Sequence, residues 1–159
     1  MAELAMLKGK RVLIVDDEPD ILEMLSEELE TCELHQARDF ESAKKLLEKE
    51  NFDCVVLDIM GVRGYELLEI ATCLKIPAVM LTAHALSPDH FVRSIQSGAH
   101  CYVPKDKIVD INFYVWDTIR AHRQHEKQPG RWYDRLKSFF DKKFGRDWGD
   151  PFESDRKKE

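Results

Sequence analysis

The stretch Phe52-Asp53-Cys54-Val55-Val56-Leu57-Asp58 decides how the chain folds. Its four apolar residues, Cys54 to Leu57, are rich in β-branched valine and too few for a helix. They predict a strand buried on both faces. Such a strand carries Asp58 to its C-terminal end, the edge where open α/β sheets place their ligands. An ionised carboxylate there is costly unless a cation meets it. Whatever meets Asp58 therefore sets the chemistry.

The 159 residues suggest one domain with room for an extension. With 43% apolar residues the chain can bury a core, which argues against wholesale disorder. No run approaches the ~20 apolar residues of a membrane span. Glu3 interrupts the first apolar residues, so no signal peptide is expected. Cys32, Cys54, Cys73 and Cys101 form no CxxC pair and read as free thiols in a reducing cytoplasm. The net charge of −6 is unevenly spread. Residues 1–119 carry 12 Lys/Arg against 22 Asp/Glu, and residues 120–159 carry 12 against 8. An acidic body argues against nucleic acid as its partner.

Four further apolar runs resemble the first. Val12 to Val15 ends in Asp16-Asp17-Glu18, and Pro19 then suits the first turn of a helix with Leu22, Leu25 and Leu29 inward. Glu33 to Ala37 is a weaker strand, followed by Asp39 as N-cap of a helix carrying Phe40, Ala43, Leu46 and Leu47. After Asp58 a glycine-punctuated loop, Gly61 to Gly64, leads to a helix over Tyr65 to Leu74. Ala78 to Leu81 forms the next strand and ends at Thr82; Ser87-Pro88-Asp89 opens a helix that Gly98 closes. Cys101 to Val103 is the last strand, followed by Pro104 and Lys105. A helix from Ile108 to about Arg123 puts Ile111, Val115, Trp116 and Ile119 inward. Fivefold alternation of strand and helix predicts a doubly wound, five-stranded parallel sheet with helices on both faces.

Asp16 and Asp17, Asp58, Thr82 and Lys105 then meet at one edge. Converging carboxylates repel unless a divalent cation holds them, and oxygen-only ligation suits Mg²⁺. Asp17 and Asp58 are the direct ligands expected, with Asp16 acting through water and the Met60 carbonyl as a third protein ligand. The cation would lower the Asp58 pKa and leave one oxygen free to attack a phosphorus. Mg²⁺, Lys105 and the Thr82 hydroxyl would each neutralise one oxygen of the transferred phosphoryl group.

The acidic pair Asp16-Asp17, Asp58, Thr82-Ala83 and Lys105, seven residues beyond Gly98, resemble the receiver domain of two-component response regulators. The resemblance covers residues 9–124, leaving an N-terminal segment 1–8 and an extension 125–159. It departs from the family in an acceptor loop, Asp58 to Gly64, that is two residues short and lacks proline, and in Asp106 after the lysine. The resemblance implies the flavodoxin-like strand order 2-1-3-4-5. It implies that Asp58 accepts phosphate from a histidine kinase or phosphotransfer protein, and that the acyl phosphate hydrolyses slowly. Tyr102, three residues before Lys105, matches the family's switch aromatic. With Thr82 unmodified, Tyr102 is expected to be free to point outward; phosphorylation would draw the Thr82 hydroxyl in and let the ring follow. His84, two residues past Thr82, is either an exposed loop histidine or a group that tunes phosphoryl lifetime. His122 and His125 read as solvated.

Pro129-Gly130 interrupts the chain before a second amphipathic helix, Arg131 to Phe144, with Trp132, Leu136, Phe139, Phe140 and Phe144 on one stripe. That length is marginal alone in water, so the stripe must be buried. It could dock on its own body or a dimer mate, enter a partner's groove, or meet a membrane surface through Lys137, Lys142 and Lys143. A homodimer through helices 88–97 and 108–123 is also compatible, and residues Arg156 to Glu159 are expected to be disordered. The expected protein is a stand-alone cytoplasmic response regulator without direct DNA binding, signalling to a downstream protein target. Two rivals stand beside it: a phosphorylation-independent interaction module, and a haloacid-dehalogenase-like phosphatase, whose two carboxylates would lie two residues apart rather than adjacent as Asp16 and Asp17 are.

Overall fold

Cys54–Asp58 is a strand with every residue buried. In the computed structural model, which describes residues 5–152, it is the central strand, β3, of a parallel sheet. Its neighbours are β1 (Arg11–Val15) and β4 (Ala78–Thr82), with β2 (Glu33–Ala37) and β5 (Cys101–Pro104) outside them, giving the order β2-β1-β3-β4-β5. All four pairings are parallel, so the strands end on one edge. The register places Leu57 beside Val15, Asp58 beside Leu81, and Thr82 beside Pro104. The residues that follow β1 and β5, Asp16 and Lys105, are thereby brought to the end of β3.

The connecting helices are α1 (Pro19–Glu28), α2 (Phe40–Lys49), α3 (Gly64–Cys73), α4 (Pro88–Gln96) and α5 (Ile111–Arg123). Their starts follow local chemistry. Pro19 occupies the first turn of α1. The side chains of Asp39 and Ser87 accept hydrogen bonds from the Ser42 and His90 amides at the N-termini of α2 and α4. At the start of α3, Gly64 packs so tightly that a Cβ would fall on the Asp58 carbonyl oxygen. That closeness is what turns the chain directly from β3 into the helix.

The last helix of the body begins later than its apolar pattern predicts. Lys105–Asp110 is a 3₁₀ segment whose geometry breaks at Lys107 (φ −106°, ψ 19°), and α5 starts only at Ile111. Ile111, Val115 and Ile119 are buried as expected; Tyr114 is buried too, while Trp116 lies half-buried at the margin.

Arg131–Phe144 forms α6, and it docks on its own body. Trp132, Tyr133, Leu136 and Phe140 are buried. Phe91 of α4 sits amid their rings, with centroids 5.0 Å from Phe140, 5.8 Å from Trp132 and 5.1 Å from Trp148. Burial of each such side chain contributes roughly 1.5–3 kcal/mol, enough to hold a helix that is marginal alone. A buried polar anchor adds direction. Asp117 of α5 accepts hydrogen bonds from the Trp132 amide (3.0 Å) and from Arg120 (2.6 Å), with His100 Nε2 at 3.1 Å. Burial alone would push this carboxyl up, but those hydrogen bonds outweigh it and leave its pKa below the usual range. The face of α4 and β5 is therefore covered by the chain itself. Residues Arg156 to Glu159 lie outside the described residues. Among the described residues, no helix is long and apolar enough to cross a membrane.

Candidate functional site

Asp58 ends β3 and is only 5% exposed. Asp16, directly after β1, is fully buried, and Lys105, directly after β5, reaches both. Its ammonium lies 2.9 Å from Asp16 Oδ2, 3.3 Å from Asp58 Oδ1 and 3.3 Å from Glu18 Oε1. One cation is shared by three carboxylates. Burial raises the Asp58 pKa to about 6, the Asp16 charge adds to the rise, and Lys105 only partly offsets it. Burial likewise raises Asp16, against the hydrogen bond from the Glu18 amide and the pull of Lys105. Burial works against the Lys105 charge, yet its carboxylate partners hold its pKa above the usual value. The pocket therefore carries more negative charge than its lysine neutralises.

Asp17 is exposed at the pocket rim, where its carboxylate lies over Gly61. Gly61 has φ +87°, and a Cβ there would stand 2.6 Å from Asp17 Oδ2. The loop after Asp58 is thus shaped around Asp17. Asp16, Asp17 and Glu18 each offer an oxygen within 4.8 Å of the others, and Asp58 feels the charges of Asp16 and Asp17. An all-oxygen, excess-negative donor set fits a hard divalent cation. Glu18 is an addition to the expected ligands Asp16, Asp17, Asp58 and the Met60 carbonyl; its place in the acidic run after β1 was the available signal. The Met60 side chain points to solvent in the same loop.

Thr82 ends β4 and is buried, and its Oγ1 accepts the Ala85 amide at 2.9 Å. His84 is exposed on the loop that follows. Tyr102 departs from expectation. Instead of pointing outward it is fully buried; its hydroxyl donates to the Ala85 carbonyl and accepts the Ser87 amide at 3.1 Å. The reason is α6: Phe140 lies 5.9 Å from the Tyr102 ring, and Phe91 meets it edge-on at 5.2 Å. Thr82, Ala85 and Tyr102 form one hydrogen-bonded chain from the edge that carries Asp58 to the docked helix.

A parallel sheet in the order 2-1-3-4-5, with buried aspartates facing a lysine across its C-terminal edge, defines a flavodoxin-like α/β domain of the CheY type. Residues 12–111 match the family model described as the response regulator receiver domain. The chain belongs to that family. It is 39% identical over 103 residues to the two-component response regulator ARR18 of Arabidopsis thaliana, a match covering 61% of this chain and 16% of that protein. It is 39% identical over 117 residues to the heme response regulator HssR of Staphylococcus aureus, covering 69% of this chain and 51% of that one. The chain thus spans about half of one relative and about a sixth of the other. Among solved structures it resembles a CheY-like receiver domain protein from Methanospirillum hungatei, with a TM-score of 0.68, 29% identity, and coverage of 74% of this chain and 99% of that one.

Proposed function

We propose that Asp58 is a phosphoacceptor that takes a phosphoryl group from the phosphohistidine of a histidine kinase or phosphotransfer protein. The observation that carries this reading is the Lys105 ammonium lying between two buried aspartates at the end of the central strand. One Asp58 carboxylate oxygen attacks the phosphorus, the P–N bond to the donor imidazole breaks, and an acyl phosphate forms. Lys105 gains a phosphoryl oxygen to neutralise as the Asp58 charge is consumed. The Thr82 hydroxyl, one residue further along β4 than the partner of Asp58, donates to another phosphoryl oxygen. A Mg²⁺ ion held by Asp16, Asp17 and Asp58, with the Met60 carbonyl, would neutralise the remaining charge.

Thr82 Oγ1 accepts the Ala85 amide, so drawing the Thr82 side chain towards a phosphoryl group would pull on that bond, and the Ala85 carbonyl is what Tyr102 holds. The modification thereby biases the 83–87 loop, Tyr102 and the aromatic contacts beyond it. Output passes through protein contacts, and the acyl phosphate is lost by slow self-hydrolysis rather than by turnover of a separate substrate. Four free thiols suit a cytoplasmic setting. Beryllium fluoride with Mg²⁺, a phosphoryl mimic, tests the reading. It is expected to change tryptophan fluorescence in the wild type, because Trp132 and Trp148 share the Phe91 cluster with Tyr102. No change in a folded sample that binds Mg²⁺ would favour a receiver fold used without phosphorylation.

A further inference from the structure

α6 starts where Asp117 holds the Trp132 amide, beside His100 ahead of β5, and its last turn arrives at the edge that carries Asp58. There Lys143 joins Thr82, Ala83, Lys105 and Asp106 in lining a recess of about 200 Å³. Liquid water takes about 30 Å³ per molecule, so the recess has room for a phosphoryl group.

The charges around it are unequal. The Lys105 ammonium is already shared among Asp16, Glu18 and Asp58. Lys143 makes no ion pair among the described residues, and its position in the last helical turn is favoured by the helix dipole. A phosphodonor approaching this edge is an anion entering a field set by Asp16, Asp17, Glu18, Asp58 and Asp106. The uncommitted ammonium of a residue lining the recess counters that repulsion.

We propose that Lys143 is a positioning and specificity residue for phosphoryl transfer, presented by the docked α6 so that its ammonium draws the phosphoryl-bearing anion of the donor into the recess that Thr82 and Lys105 line. The inference rests on Asp58 being the phosphoacceptor. A tail that otherwise only covers an apolar face thus also completes the electrostatics of the site. The ligand it recognises is the phosphoryl anion itself, whether carried by a small acyl phosphate or by an imidazole.

The test is phosphorylation of the full chain in Mg²⁺ by acetyl phosphate and, separately, by phosphoimidazole, each over a range of donor concentrations. Lys143→Ala should raise the half-saturating donor concentration roughly 3- to 10-fold at low ionic strength, with the limiting rate little changed. Lys143→Glu should raise it further, and Lys143→Arg should stay near the wild type. The difference should shrink as salt is raised towards a Debye length of about 3 Å. An effect with both donors assigns recognition to the phosphoryl group; an effect with acetyl phosphate alone, or with phosphoimidazole alone, would overturn that assignment. Lys142→Ala is the control for overall charge, and tryptophan fluorescence reports that α6 remains docked. The proposal is overturned if Lys143→Ala and Lys143→Glu match the wild type at low salt, if Lys142→Ala has the same effect, or if the loss is insensitive to salt. A wild type that takes no phosphate on Asp58 would overturn the acceptor reading itself; a wild type that does, alongside unaffected Lys143 variants, overturns only the role of Lys143.

Discussion

Lys105 Nζ lies 3.3 Å from Asp58 Oδ1, and both side chains are almost sealed from solvent. A buried carboxylate with one cation depends on that cation for any developing charge. Lys105→Met is expected to keep the fold and to slow phosphoryl transfer to Asp58 by about 10²-fold or more, the scale seen when one preorganised charge donor is removed. The rate from acetyl phosphate, at matched Mg²⁺ occupancy, checks this.

Asp58 also governs stability. Its carboxyl is raised from 3.8 to about 6, chiefly by burial and next by Asp16. A raised carboxyl means that the folded chain keeps a proton the unfolded chain has lost. Stability is therefore highest below the unfolded pKa, falls as pH rises through about 6, and stays low above it. Asp58→Asn removes this penalty. At pH 8 without metal it is expected to be more stable than the wild type by about 1–3 kcal/mol, given about 1.36 kcal/mol per pKa unit. Thermal unfolding in chelator should show the advantage shrinking between pH 6 and pH 4.

The loop after Asp58 should discriminate between two glycines. Gly64→Ala sets a Cβ against the Asp58 carbonyl, which is backbone and cannot step aside, so Asp58 itself must shift. Phosphorylation is expected to be lost. Gly61→Ala meets the Asp17 side chain instead and strains a backbone at φ +87°. Its expected signature is a Mg²⁺ affinity weakened about tenfold or more, the scale of disturbed ligand support. Titrating Mg²⁺ into each variant separates the cases.

The docking of α6 rests on packing and on one buried charge. Phe140→Ala should cost about 3–5 kcal/mol, as for other buried aromatic truncations, and should leave the Tyr102 ring free on one side. Asp117→Ala strips the Trp132 amide of its acceptor and Arg120 of one of its acceptors, with Glu126 remaining, and is expected to cost about 1–3 kcal/mol. Since the Asp117 pKa is lowered in the fold, its contribution is present above the unfolded pKa and is lost as pH falls through the folded value. Chemical denaturation at pH 7, followed by tryptophan fluorescence, measures both.

The strands and their edge were legible because each depends on local pattern. Short apolar runs mark β1, β3 and β4, and the polar residue ending each run marks the edge. What depended on distant packing was less legible. Tyr102 has the spacing of a mobile aromatic, yet its position is set by Phe140, 38 residues away in sequence, and no local signal reveals that contact. The amphipathic stripe of Arg131 to Phe144 required burial without naming a surface; the choice was made by Phe91 and Asp117. The late start of α5 has a similar origin, since Val109 is 63% exposed and the turn before Ile111 must first bring Lys105 into the pocket. Lys143 lies on the charged side of an amphipathic helix, where any lysine looks like a solvated one.

The most direct measurement is the intact mass of the protein after incubation with Mg²⁺ and a phosphodonor, followed by mapping of the modified residue. One added phosphoryl group on Asp58, absent without Mg²⁺ and absent in Asp58→Asn, is the expected result. A folded wild-type chain that stays unmodified under conditions that load other receiver domains, or that carries the group on a different residue, would contradict it.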